Sequence, residues 1–347
     1  MCNIAGYLGN KQAAPILLEM LRRQAPYDGD MSTGVATIHE GKLYYRKIVG
    51  DIDTLIRETD VLDLPGTMGI AHTRPGGNKN EMPYHPFISH DGQTGLITNG
   101  TCPMTKHRTL WDEAMDLLDR EGYRFLTEAE NPKNISPKLS RNGNYIFPVE
   151  SRLALMDHYL KQGDPPTAAL AKVNTHMYSD NVTVVLNQNY PDRIFALRTT
   201  RPMNVILEGG EAYMATTRYG FPENLKNEPV MLPLFHACSV TRDGIEISAH
   251  RMEGEVVEEM SPYTYAEGYK RMEAFLKKKD GPFYFDDLEF AVGREMKDLW
   301  PGDHTCIQHA RLVYDLLWQF DQEGRLKREM RIQETGSGPR HRWYFSL

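Results

Sequence analysis

Cys2 stands directly behind the initiating methionine in MCNIAGYLGN and is one of four cysteines in 347 residues. A cysteine there has a chemical opportunity that no other position offers. If Met1 is removed, the thiol and a free α-amine share one residue. An α-amine with an ordinary pKa of about 8 keeps an appreciable neutral fraction at pH 7 and can act as base for its own nucleophile. The bland alternative is a small buried residue in an edge strand. Other polar groups fall where short apolar runs end: His72, Thr73 and Arg74 in GIAHTR, His85 in YHP, and Asn99 with Gly100 in GLITNG. A sheet can hold such strand ends facing one cleft.

Strands are therefore the elements that must position this chemistry. Apolar runs mark them at NIAGYLG, GTMGIAHTR, TGLITNG, DNVTVVLNQ and DRIFALRT. Hairpins are expected in STGVATIHEGKLYYRKIVG over Glu40-Gly41, in VILEGGEAYMATT, and in HACSVTRDGIEISAHRM over Asp243-Gly244. Helical spacing appears in AAPILLEMLRRQ (Ile16, Leu17, Met20, Leu21), WDEAMDLLDREGYRF and ESRLALMDHYLKQG. The Asn/Pro/Ser-rich residues 130–147 read as an exposed insertion loop. Strands outnumber helices and hairpins recur, which predicts a layered α+β fold rather than a doubly wound parallel sheet. After about residue 262 the texture changes to three helical patterns and two strands around a Gly-Ser-Gly-Pro turn, resembling a winged helix. The expected division is residues 1–262 and 263–347.

Composition bounds the partners. Apolar residues make up 40% and charged residues 25% of the chain. No apolar run approaches the roughly 20 residues of a membrane helix, and no basic-then-apolar leader opens the sequence. The cysteines, Cys2, Cys102, Cys238 and Cys306, show no CxxC spacing, which points to a reduced, cytoplasmic setting. A net charge of −7 argues against wholesale nucleic-acid binding. The charge is uneven, however: Arg325, Lys327, Arg328, Arg331, Arg340 and Arg342 face only Glu329 and Glu334 in the tail. His304, Cys306 and His309 have loose ligand spacing without a second cysteine pair, so neither metal nor cofactor is expected. Lys277, Lys278 and Lys279 read as a solvated helix end.

In their order and spacing, MCNIAG, LLEMLRRQAPYDGDMSTG, GIAHTR, YHP and ITNG resemble the glutaminase domain of class II glutamine amidotransferases, the N-terminal-nucleophile hydrolases, as in glucosamine-6-phosphate synthase. There the pattern is MCGI, a helix followed by RGYDSAG, GIAHTRW, AHPH and HNG. The resemblance covers about residues 1–260 and implies a four-layer αββα sandwich. It also implies roles. Cys2, once N-terminal, is the nucleophile attacking the glutamine side-chain amide, with its α-amine as base. Arg74 grips the substrate α-carboxylate, its planar fork matching two oxygens. Asn99, through its side-chain amide, and Gly100, through its backbone N–H, form the oxyanion hole. Glu150 has the chemistry to hold the substrate amine. His72 and His85 line the cleft. The structural alternatives are an ion pair for Arg74 and a plain turn for Asn99-Gly100.

Some positions depart from the pattern. Asn3 replaces a glycine, and Asp28 stands where RGYD has its arginine, inverting a charge near the thiol. Pro75 replaces the tryptophan, and Gly77 and Asn78 replace the Thr-His that follows. A free carboxylate near a thiol raises its pKa. The expected function is hydrolysis of glutamine or a related small amide, with ammonia handed to an acceptor site on a partner protein. No isomerase domain is expected in the remaining 85 or so residues, and no membrane or nucleic-acid partner for the whole. The alternative is a catalytically idle binding or regulatory subunit that contacts nucleic acid through its C-terminal module. That module is expected to dock a partner through Trp343-Tyr344-Phe345 and to be separable from the glutaminase.

Overall fold

A computed structural model describes residues 1–75, 85–100, 108–128, 144, 146–254, 258–278, 281–300, 308–335 and 338–347. In chain order the main body runs β1 (Asn3–Leu8), α1 (Ala13–Gln24), β2 (Ser32–His39), β3 (Lys42–Ile48), α2 (Ile52–Glu58), β4 (Met68–Arg74), β5 (Phe87–Ile88), β6 (Thr94–Gly100), α3 (Arg108–Arg120), α4 (Pro148–Lys161) and α5 (Pro166–His176). It continues with β7 (Asn181–Asn187), β8 (Ile194–Arg198), β9 (Asn204–Glu208), β10 (Glu211–Ala215), β11 (Val230–Met231), β12 (His236–Val240) and β13 (Ile245–Arg251). Two antiparallel sheets result, ordered β11-β9-β10-β1-β4-β2-β3 and β13-β12-β8-β7-β6-β5.

The alternation of side chains along each strand builds the layers. Ile4 and Leu8 of β1 point to one face and meet Ile97 of β6 and Val182, Val184 and Leu186 of β7 from the other sheet. Ala5 and Tyr7 point the opposite way, under Leu17, Leu18 and Leu21 of α1. On the far side, Leu96, Val185 and Phe195 carry Leu153, Leu170 and Trp111 of α4, α5 and α3. Helix, sheet, sheet, helix is the stacking order, the αββα sandwich of the sequence expectation. Cys2 precedes a central strand, because β1 is flanked by both β10 and β4.

The C-terminal part runs α6 (Pro262–Leu276), β14 (Phe283–Tyr284), α7 (Phe285–Glu295), α8 (His309–Gln322), β15 (Lys327–Thr335) and β16 (Gly338–Ser346), its sheet ordered β14-β16-β15. Its core includes Leu276, Phe285, Leu312, Leu316 and Phe345, but also Tyr27 of the main body, with Met1 and Tyr219 packed against it. The hydrophobic interior is therefore continuous across residue 262. Two expectations change. The aromatic hairpin end packs back on the main body: Phe345 is fully buried and stacks on Tyr27 at 5.8 Å, Trp343 N donates to Pro26 O at 2.8 Å, and Trp343 and Tyr344 are half-buried. Nor is the basic tail an open cationic patch. Arg340 and Arg342 are buried, Arg325 pairs with Glu273 and Glu323, Arg328 pairs with Asp321, and Arg331 pairs with Glu329. Lys277 pairs with Glu273 at 2.8 Å, and Lys278 lies over Phe275 at 4.3 Å.

Gly77, Asn78, Cys102, His304, Cys306 and Lys279 lie outside the described residues, as does nearly all of the expected 130–147 loop. No helix among the described residues is long and apolar enough to cross a membrane.

Candidate active site

β1 and β4 pair in the register Asn3↔Thr73, which carries Cys2 to the side of Arg74 at the strand ends. β6 belongs to the facing sheet and lies against both strands. It ends on Asn99-Gly100, next to Val182 and Asn181 of β7. Cys2, Arg74 and Asn99-Gly100 therefore sit at the same end of the two central sheets, although nearly 100 residues separate the first from the last.

Burial pushes the Cys2 thiol above its ordinary pKa, while the chain's own ammonium, Arg74 and Arg201 pull it back. Arg201 is the cation that the sequence reading missed. It lies in the turn after β8, where nothing local marks it, and its guanidinium binds Asp180 at 2.8 Å and Glu289 of α7 at 2.6 Å. His309 of α8 binds the same Glu289 oxygen at 2.9 Å. A network of buried and half-buried ionisable groups thus runs from the surroundings of Cys2 into the C-terminal helices. Such a network holds its members only when each charge is met, since an unpaired buried charge is costly.

Asn99 is 1% exposed, and its Nδ2 has no hydrogen-bond partner among the described residues. A buried amide donor left open is rare and is what an oxyanion hole requires before substrate arrives. Gly100 has φ +148°, and a Cβ there would fall 2.0 Å from Asp180 O, so only glycine fits. The Arg74 guanidinium carbon lies 5.5 Å from the Phe147 ring centroid, which orients the fork from one side. His72 and His85 stack at 3.9 Å, both buried. Burial first, then the Arg74 charge, drives His72 down to about 3, and His85 is well below its usual value. Both rings are neutral at pH 7 and serve as packed walls.

Glu150, expected at the substrate amine, is the second residue after Pro148 on α4, and both its oxygens accept hydrogen bonds. They accept from Leu126 N at 2.6 Å and from Thr127 N and Oγ1 at 2.8 and 2.5 Å. The carboxylate clamps the 126–127 turn, with Oε1 accepting a single hydrogen bond and Oε2 two. Asn3, where the family has glycine, donates to Asp28 O at 2.6 Å and holds the turn beside Cys2. Among the described residues no group of three or more His, Cys, Asp and Glu side chains could hold a metal ion.

No family model matches the chain. The glutamine–fructose-6-phosphate aminotransferase (isomerizing) of Zymomonas mobilis is 31% identical over 260 residues, 74% of this chain and 38% of the relative. That of Caldanaerobacter subterraneus is 31% identical over 218 residues, 62% of this chain and 31% of the relative. The chain thus spans well under half the length of these curated relatives. Among solved structures, the glutamine phosphoribosylpyrophosphate amidotransferase of B. subtilis superposes with a TM-score of 0.58 at 13% identity, covering 94% of this chain and 66% of that one. At that identity the likeness is one of fold.

Proposed function

We propose that this chain, a class II glutamine amidotransferase by its sequence and its fold, hydrolyses the side-chain amide of glutamine with Cys2 as nucleophile once Met1 is removed. The observation that carries the reading is the convergence at one sheet end of a thiol, a guanidinium and an open buried amide donor, from strands β1, β4 and β6. Arg74 receives the substrate carboxylate. The Cys2 α-amine takes the thiol proton, the sulfur attacks the amide carbon, and Asn99 Nδ2 with the Gly100 N–H stabilises the oxyanion. Ammonia leaves as the thioester forms, and water then releases glutamate. The ammonia passes to an acceptor site on a partner protein.

The test is ammonia release from glutamine by protein whose N-terminus has been established as Cys2 by mass spectrometry. Release that Cys2→Ala abolishes supports the reading, and a Cys2-first chain with no release refutes it. One observation favours the second reading, an idle regulatory relative: Asn3 and Asp28, which depart from the resembled pattern, are hydrogen-bonded to each other next to Cys2. Native protein that retains Met1 throughout would support that reading.

A further inference from the structure

Residues 199–203 cross from β8 in one sheet to β9 in the other, and on the way they grip the segment beside Gly100. Thr199 Oγ1 accepts from Asn181 N at 2.7 Å, and the Arg201 guanidinium pairs with Asp180 Oδ2 at 2.8 Å. Asn181 is the cross-strand partner of Gly100, and Asp180 O stands 2.0 Å from where a Cβ on Gly100 would lie. Asp180 and Arg201 are both buried, at 5% and 8% exposure, so each charge is met by the other rather than by water. Another nitrogen of the same guanidinium donates to Glu289 Oε1 of α7 at 2.6 Å, and that oxygen also meets His309 Nε2 of α8 at 2.9 Å. Arg201 is therefore fixed from two sides: by the strand end next to Gly100, and by helices that lie beyond residue 262.

We propose that Arg201 is a positioning residue for Gly100, and that Glu289 keeps it in that role from the C-terminal helices. This rests on the reading of Gly100 as an oxyanion donor. A main-chain N–H has no rotamer of its own, and glycine leaves its backbone the widest freedom. The direction of that donor is therefore set by what packs around it. Asp180 O is the nearest contact on the open side of the glycine. Without the guanidinium, the Asp180 carboxylate is left buried with its charge unmet, which favours a turn of residue 180 toward water or another donor. The backbone carbonyl against Gly100 moves with it, and a displacement of about 1 Å near the reacting atoms can cost about a hundredfold in rate. Arg74 stands away from these contacts, in β4 on the opposite side of β1 from β9 and β10. Loss of Arg201 thus acts on the oxyanion and spares the grip on the substrate carboxylate.

The test uses the full chain beginning at Cys2, with the active thiol counted by a glutamine-analogue electrophile. Per active thiol, Arg201→Met is expected to lower kcat about tenfold or more with KM within about twofold. Arg201→Lys, which keeps the charge, is expected to recover part of the loss. Glu289→Gln keeps the shape of the side chain and is expected to lower kcat by a smaller factor, so the test does not depend on one variant folding. Hydrogen exchange read by mass spectrometry is expected to quicken in the peptide holding residues 98–100 and to stay unchanged along β4. That readout needs no turnover. Faster exchange at 98–100 in variants of a parent chain that releases no ammonia keeps the positioning role and sinks the glutaminase reading. Unchanged exchange there, or a kcat equal to that of the parent, overturns the proposal. A KM that rises as much as kcat falls also overturns it, because Arg201 would then act on substrate binding. Faster exchange spread evenly through both sheets does the same, since that is general destabilisation.

Discussion

Arg342 donates to the main-chain carbonyl of Gly29 at 2.5 Å, so the C-terminal sheet grips the turn that carries Asp28, the turn that Asn3 also holds next to Cys2. The same guanidinium donates to Ala25 O at 2.5 Å, and Arg340 Nε donates to Asp30 O at 2.6 Å. The sequence alone led to a detachable tail. These bonds, and the shared core around Tyr27, tie that tail to the turn next to Cys2.

Removal of residues 263–347 is accordingly expected to destabilise the whole chain and abolish glutamine hydrolysis, read by thermal melting and ammonia assay on one preparation. Arg342→Ala in the full chain should cost about 3 kcal/mol, since it strands buried carbonyls that now accept from a charged donor. A truncated chain that melts at the full-length temperature would show that the interface carries no stability.

A glutamine-analogue electrophile should label Cys2 and spare Cys238. The second thiol is fully buried between the sheets, and burial pushes its pKa up to about 11, so little thiolate is present at neutral pH. Peptide mapping after labelling decides the point. Equal modification of the two would count against a nucleophile at position 2.

Substitutions in the cleft should separate binding from chemistry. Arg74→Lys keeps the charge and loses the fork, and is expected mainly to raise KM. Asn99→Ala removes the open donor and should lower kcat by about a hundredfold with little change in KM. Gly100→Ala places a methyl group against Asp180 O and should disturb the end of β6 itself, visible as a lower melting temperature as well as lost activity.

Acid should destabilise the fold before it unfolds the carboxylate network. His72 and His85 are held neutral in the folded state, His72 with a pKa of about 3, while each takes up a proton near pH 6.5 when unfolded. The unfolded state therefore binds more protons between about pH 6.5 and 3, and stability falls as pH falls through that window. Asp30 acts in the opposite sense: burial raises its pKa to about 6, so it binds its proton earlier in the folded state and offsets part of the loss between about 6 and 4. Denaturant unfolding at pH 7, 5.5 and 4.5 should show the decline, and His72→Phe should flatten it. A slope of the same size in that variant would remove His72 as the cause.

Much of the chain was legible without coordinates. Strands β1, β4, β6 and β7 announce themselves by apolar runs ending in polar groups, and the Glu40-Gly41 and Asp243-Gly244 turns fall where the hairpins reverse. Those signals are local, arising from the two-residue period of a strand and the backbone freedom of glycine. Helix α5 was not legible, because seven of its residues are buried around its circumference and it shows no apolar stripe. The two-residue strands β5, β11 and β14 are too short to carry a pattern at all.

What the sequence by itself determined was the order of the motifs, and with it a sandwich that delivers Cys2, Arg74 and Asn99-Gly100 to strand ends. Only the tertiary structure decided which charges surround them. Arg201, Asp180, Glu289 and His309 are spread across 130 residues of sequence and share no spacing, yet register and packing bring them into one network. Glu150 has the chemistry to meet a substrate ammonium, and only the fold shows that its oxygens also accept from the backbone of Leu126 and Thr127. A carboxylate's function depends on which donors reach it first, and that is a property of distances between elements, which no local pattern encodes.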